Sequence, residues 1–118
     1  MGDVYYKAVN LTTGEIVADK VRIAQDFKSR SIGLLNRKSL DENEALLIKP
    51  CNSIHTFFMK FPIDVVFLDK KGKVVKIKES MQPWRLLSSM PRGFMVLELK
   101  SRKIQKIRIK VGDLIEIH

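Results

Sequence analysis

Three side chains with usable chemistry fall close together in the run PCNSIHTFFMKFPIDVVFLD, from Pro50 to Asp69: Cys51, His55 and Asp64. A thiol and an imidazole form a nucleophile pair when they are in hydrogen-bond contact and a third group orients the ring. Asp64 would be that third group. The Cys-x3-His spacing also suggests metal ligation, but Pro50, Asn52 and Ser53 favour a loop or extended chain over a helix. Four extended residues span roughly 13 Å at about 3.3 Å each. One tetrahedral ion with bonds near 2 Å cannot bridge that distance. The other histidine, His118, is the last residue given. No metal and no cofactor are expected, and Cys51 is expected to be a small buried side chain rather than an essential nucleophile.

Strand geometry sets the expected neighbours of these groups. If residues 54–59 are extended, His55, Phe57 and Met59 share one face, and Thr56, Phe58 and Lys60 share the other. Asp64 shares its face with Val66 and Leu68. An ionised carboxylate there must be paired or accept backbone N–H groups, and structural and functional roles for it both stay open. Further on, Trp84 and Arg85 lie between Pro83 and Pro91 and offer an aromatic surface beside a cation. The binding candidates are therefore His55, Thr56, Lys60, Asp64, Trp84 and Arg85, and the catalytic candidates are His55, Asp64 and Cys51. There is no phosphate-binding glycine loop and no paired-carboxylate spacing.

The elements that must position these groups are mostly strands. Val4 to Val9 is rich in strand formers, Gly14 centres a turn, and EIVADKVRIA resumes an extended pattern. Gln25 to Leu35 is the best helix, with Ala24, Phe27, Leu34 and Leu35 near one face and Asp26 at its start. ALLIK reads as a short buried strand. Ile63 to Leu68 is nearly all apolar, as in a strand covered on both faces. Asp69-Lys70-Lys71-Gly72 has the signature of a type I turn and predicts an antiparallel hairpin with Val74 to Lys78. There, Lys76 and Lys78 would point one way and Val75 and Ile77 the other. PWRLLSSMPRG reads as a loop and FMVLEL as a strand. Ser101 is placed to cap a short helix through Ile107, before a last strand, Leu114 to Ile117. The fold class that follows is α+β, mainly β: a small, partly closed antiparallel barrel or curved sheet with one main and one short helix.

The chain has 118 residues and is 45% hydrophobic, the size of one domain over residues 1–118. A single cysteine excludes an intrachain disulfide. No run has the length of a signal peptide's apolar core or a membrane span, so a cytoplasmic protein without an integral membrane segment is expected; export with a removed leader stays open. The net charge of +9 is lopsided: residues 1–69 hold nine basic and nine acidic residues, residues 70–118 thirteen and four. A basic region at 70–110 can bind polyanions. The lysines interrupt strands rather than forming a block, so specific nucleic-acid binding is not expected.

The order of motifs resembles the uncharacterised family known as domain of unknown function one hundred and ninety-two. The match runs over about residues 22–117: RSIGLLNRKSL, EALLIKP, CNSIHTFFMKFPIDVVFLDKKGKVV, then PWR, VLEL and KVGD. Its most specific part comprises Phe58, Met59, Lys60, Pro62, Ile63, Asp64, Phe67, Leu68 and Asp69. Arg30, Gly33, Leu34, Gly112 and Asp113 also match. The chain departs from the pattern at Leu35, Ala45-Leu46 and Phe58, and at Arg108, where relatives carry a glycine after the short helix. The resemblance implies a β-rich α+β domain, and export of some relatives. It supplies no activity, substrate or cofactor. The residues favour a small binding or accessory module, for an unidentified ligand or protein partner, with a pocket or seam around His55 and Asp64. An enzyme using His55 and Asp64, with or without Cys51, is the alternative. Binding of a polyanion through residues 70–110 is a third.

Overall fold

The computed structural model describes residues 4–118, except for the side chain of Phe27. In chain order the elements are β1 (Tyr6–Asn10), β2 (Ile16–Ala24), α1 (Phe27–Ile32), β3 (Glu44–Ile48), β4 (Ser53–His55), β5 (Ile63–Leu68), β6 (Val74–Met81), β7 (Leu86–Ser88), β8 (Met95–Lys100), α2 (Lys103–Ile107) and β9 (Ile115–Ile117). Seven strands form one sheet in the order β6-β5-β8-β3-β2-β1-β9, and β4 pairs with β7 in a separate ribbon. All the sheet pairs are antiparallel except β2–β3, which run parallel because the chain crosses over through α1 between them.

The sheet curls until its two edges meet. Lys73 and Leu114, the residues just before the edge strands β6 and β9, form an antiparallel bridge. Around it Val74 N–H donates to Asp113 O at 2.8 Å, Gly112 N–H to Val74 O at 2.8 Å and Ile115 N–H to Gly72 O at 2.9 Å. The result is a partly closed barrel, as the strand pattern suggests. Buried Asn10 and Asp113 brace the same end: Asn10 Nδ2 donates to Asp113 Oδ2 at 2.9 Å.

Strand alternation builds two cores. Inside the curl lie Val21, Leu47, Val66, Leu68, Leu97 and Leu99, among others, with Ile104 of α2. Outside it lie Leu46, Ile48, Val65, Phe67 and Val96, covered by Leu34, Leu40, Ile54 and Met59. All six residues of β5 are buried, matching the expectation of a strand covered on both faces. The β5–β6 hairpin forms as expected, with Gly72 N–H donating to Asp69 O and Asp69 Oδ1 accepting from Lys71 and Lys73.

Several local expectations need correction. The helix expected at 25–35 is only Phe27–Ile32: Asp26 Oδ1 caps it from Ser29 N–H at 2.7 Å, and Gly33 ends it at φ +51°. A register shift between Phe67 and Leu68 inserts an extra residue in β6. Val75 therefore packs on the outer core while Ile77 packs on the inner one. Residues 86–88, expected as loop, form β7 because β4 offers them a partner. Ser101 does not cap α2, whose preceding residue Arg102 has φ +77° and no side-chain cap bond. Arg108 ends that helix in the left-handed conformation usually given to glycine, donating its N–H to Ile104 O.

Candidate functional site

Thr56 organises the first cluster. It is fully buried, and its hydroxyl donates to Gln82 O at 2.6 Å and accepts from Arg85 N–H at 3.0 Å. Its main chain pairs with the same segment: Thr56 N–H donates to Arg85 O at 2.9 Å, and Thr56 O accepts from Trp84 N–H at 3.0 Å and Met59 N–H at 3.1 Å. The strand expected over 54–59 therefore stops at His55, and the chain turns. Met59 goes into the outer core while His55 and Phe57 stay exposed, so these three do not share a face. Phe58 and Trp84 each sit at φ +66°, a conformation that bulky residues adopt at a cost of about 1–3 kcal/mol each. The Thr56 bonds hold them there. The rings that emerge touch in series: His55 to Phe57 at 4.9 Å between centroids, Phe57 to Trp84 at 6.0 Å, Trp84 to Phe58 at 4.6 Å. Thr56 is thus brought to the adjacent pair Trp84 and Arg85, far from it in the chain, with exposed Lys60 on the same loop as Thr56.

Asp64 lies elsewhere. Its side chain points to the inner side of β5, as Val66 and Leu68 do, and is fully buried. Oδ1 accepts from Ser80 N–H at 2.7 Å and Oδ2 from Ile104 N–H at 2.8 Å. Ser80, at φ +45°, is in the second register shift of β6, and Ile104 is in the first turn of α2. One carboxylate therefore pins a bulge and supplies the N-terminal cap that Ser101 does not. Ile54 and Met59, which flank His55, pack on the outer core. The structure does not bring His55 and Asp64 together.

A second constellation was missed in the sequence. Glu98 sits in the middle of β8, opposite Leu46 on one side and Val65 on the other, on the outer face of the sheet. It is 3% exposed, and burial pushes its carboxyl up from 4.5 to about 7. No side-chain hydrogen bond satisfies it among the described residues. Instead it lines a cleft of about 140 Å³ that also takes in Arg30, Cys51, His55 and Met59. Arg30 is anchored there by Nη1 donating to Pro50 O at 3.1 Å. Cys51 Sγ donates to Ser53 O at 3.1 Å, and burial first, with the Glu98 charge adding to it, pushes the thiol up. A protonated thiol is a weak nucleophile. The signal for Glu98 was available: a lone carboxylate inside the apolar strand FMVLEL must be neutralised or partnered. Among the described residues, no group of three or more His, Cys, Asp or Glu side chains is placed to hold a metal ion.

A curled sheet with a cleft on its outer face and an aromatic loop beside it defines a small β-rich domain. The chain belongs to the DUF192 family, described as an uncharacterized ACR, whose model matches residues 8–117. A UPF0127 protein of Thermococcus sibiricus is 33% identical over 114 residues, covering 92% of this chain and 72% of the relative. A UPF0127 protein of Pyrococcus furiosus is 29% identical over 113 residues, covering 92% of this chain and 95% of the relative. Two crystal structures share the fold. A protein of unknown function from Novosphingobium aromaticivorans has a TM-score of 0.82 at 19% identity, over 96% of this chain and 84% of its own. A candidate transcription regulator from Sinorhizobium meliloti has a TM-score of 0.82 at 21% identity, over 98% of each chain. No helix among the described residues is long and apolar enough to cross a membrane.

Proposed function

We propose that this chain is a small-molecule-binding module whose ligand enters the cleft beneath α1 and meets the Glu98 carboxyl. One observation carries the reading: Glu98, 3% exposed in the middle of β8, lines a cleft, and its carboxyl receives no hydrogen bond among the described residues. A chain that needed only a core would place an aliphatic residue between Leu46 and Val65, because an unpartnered carboxyl there costs stability. The cleft, about 140 Å³, is close to the roughly 150 Å³ of an engineered cavity that admits benzene. Its occupant is a small group bearing hydrogen-bonding atoms. With its carboxyl near 7, Glu98 donates to a carbonyl when protonated and accepts from an N–H or ammonium when ionised. Arg30 supplies a fixed cation at the mouth, and His55 forms part of the wall.

The test is a ligand-observed NMR screen with polar fragments of up to about ten heavy atoms, each counter-screened against Glu98→Gln and Glu98→Leu. Hits should shift amides of residues 30–35, 50–55 and 98, and should lose at least tenfold in affinity in Glu98→Leu. A screen in which no hit shifts those amides, or in which Glu98→Leu binds every hit as tightly as the parent, overturns the reading.

The same carboxyl favours a second reading, an acid–base enzyme, because a group titrating near neutrality is poised for proton transfer. Conversion of a cleft-bound fragment, lost in Glu98→Gln, separates it from simple binding. A nucleic-acid reading, invited by the description of the Sinorhizobium neighbour, finds the cations of residues 70–110 already divided. Lys103 and Lys106 are paired with Glu42, and Lys76 donates to Ser88 O.

A further inference from the structure

We propose that the loops joined by Thr56 form a docking surface for an anionic lipid bilayer. Phe58, Trp84 and Leu86 enter the headgroup region, and Lys60, Lys78 and Arg85 lie against lipid phosphates. This surface is separate from the Glu98 carboxyl and does not depend on a ligand there.

Three observations point to it. The first is apolar exposure on a rigid base. Phe58 is 69% exposed, Trp84 56% and Leu86 72%. Leu86 pairs with His55 across the β4–β7 ribbon, so both project from its outer face, while Ile54 and Leu87 turn into the core. The backbone beneath them is fixed by Thr56, and it holds both Phe58 and Trp84 at positive φ. Side chains exposed in this way are held outward and are not simply left over from the core.

The second is charge. Residues 50–63 and 80–93 contain no aspartate or glutamate, yet they carry Lys60, Arg85 and Arg92. Lys78 lines a shallow hollow together with Arg85, Gln82 and Leu86, so two cations flank an exposed apolar side chain. Exposed apolar side chains with Lys78 and Arg85 beside them match the layering of a bilayer surface with anionic lipids, in which phosphates lie just outside the acyl boundary. Lysine and arginine stems can lie along that boundary with their heads at the phosphates. A second copy of this surface would bring like charges together, so self-association through it is disfavoured.

The third is ring geometry. His55 and Phe57 are stacked with 24° between their planes, and Phe57 and Trp84 with 28°. Only His55 and Phe57, 4.9 Å apart, lie face against face; Phe57 and Trp84 are offset at 6.0 Å, and Trp84 is tilted 59° to Phe58, so the loop presents edges at varied angles and no flat platform. A platform for nucleobases or sugars needs free faces; a wedge entering an interface needs apolar edges and bulk.

The experiment uses the whole chain and flotation with vesicles of phosphatidylcholine alone or with 30% phosphatidylglycerol at roughly 0.1 M salt. Trp84, the only tryptophan, reports insertion through quenching by lipids brominated near the top of the acyl chain. Expected are binding to the anionic vesicles at least tenfold stronger than to the neutral ones, and quenching of Trp84. Losses of at least tenfold are expected in Phe58→Gly, in Leu86→Ser and in the Lys78→Glu, Arg85→Glu pair. Phe58→Gly suits the positive φ, so its melting temperature should not fall, which separates lost docking from lost folding. No flotation overturns the proposal. Flotation without quenching, or unchanged in Phe58→Gly and Leu86→Ser, also overturns it and marks diffuse charge adsorption. Tight binding to an acidic protein surface with no flotation assigns the patch to a protein partner instead.

Discussion

Thr56 and Arg85 hold each other twice: the N–H of Thr56 donates to Arg85 O at 2.9 Å, and the N–H of Arg85 donates back to the Thr56 hydroxyl at 3.0 Å. This reciprocal pair ties the end of β4 to the start of β7. It fixes the backbone from which Phe58 and Trp84 project. Replacing Thr56 with Val keeps the shape but removes the hydroxyl, leaving Gln82 O and Arg85 N–H without it. A destabilisation of about 1–3 kcal/mol is expected, with a change in Trp84 emission before global unfolding. Urea titration followed by both tryptophan fluorescence and far-UV circular dichroism checks this; coincident, unshifted curves would refute it.

Asp64 serves two main-chain donors at once. Asp64→Asn keeps one acceptor oxygen and puts an NH2 group against the other donor, so one buried N–H loses its partner. The expected cost is about 2–3 kcal/mol. Amide exchange should speed up at Ser80 or Ile104 ahead of the rest of the sheet. Equal exchange at both sites in parent and variant would show that the carboxylate does not carry the bulge and the helix start.

Glu98 predicts a pH dependence of definite sign. Its folded-state carboxyl lies near 7 against an ordinary 4.5, so the folded chain holds the proton more tightly than the unfolded one. The stability this confers is complete below about 4.5 and falls as pH rises, levelling off above about 7. The gap corresponds to about 3 kcal/mol. Glu98→Gln has no such proton, so its stability relative to the parent should rise by that order between pH 5 and pH 8. Denaturant midpoints of both proteins at the two pH values measure it, and parallel pH profiles would contradict it.

Cys51 should be slow to react. Burial raises its thiol, and Sγ is already engaged with Ser53 O. Iodoacetamide should modify it at pH 7 at least tenfold more slowly than free cysteine, and Cys51→Ser should keep any ligand affinity found for the cleft within a few-fold. Fast labelling at pH 7 would reveal a thiolate that this geometry does not provide.

How far the sequence reached depends on range. The β5–β6 hairpin was legible because its turn residues, Asp69 and Gly72, and its two apolar runs are local. The buried state of β5 was legible because every position from Ile63 to Leu68 but Asp64 is apolar. The partner of Asp64 was not, because Ile104 lies forty residues away and meets it only when α2 packs on the curled sheet. Thr56 and Arg85 fall under the same limit. Glu98 was within reach, since its apolar neighbours mark it, but which face of β8 opens on a cleft is decided by α1 and the 50–59 segment. Extended geometry over 54–59 would put His55, Phe57 and Met59 on one face, but the bonds Thr56 makes to residues 82–85 turn the chain after His55, and those partners lie too far along the chain to be legible from local pattern.

The joint between the sheet edges has one further consequence, for self-association. At Gly72 a Cβ atom would stand 2.2 Å from Ile115 O, so the hairpin turn and β9 are in backbone contact there. The strand completing that contact, Ile115–Ile117, has three residues, and it also covers the free side of β1. Its release would bare the flank of β1 and break the Ile115–Gly72 bond at the opposite edge. Exposed flanks of this kind are templates for pairing with other chains. Lys73, Lys76 and Lys78 stand along the β6 flank and Lys7 on β1. Lysines at these positions are of the kind that disfavours pairing of a bared strand edge with another chain.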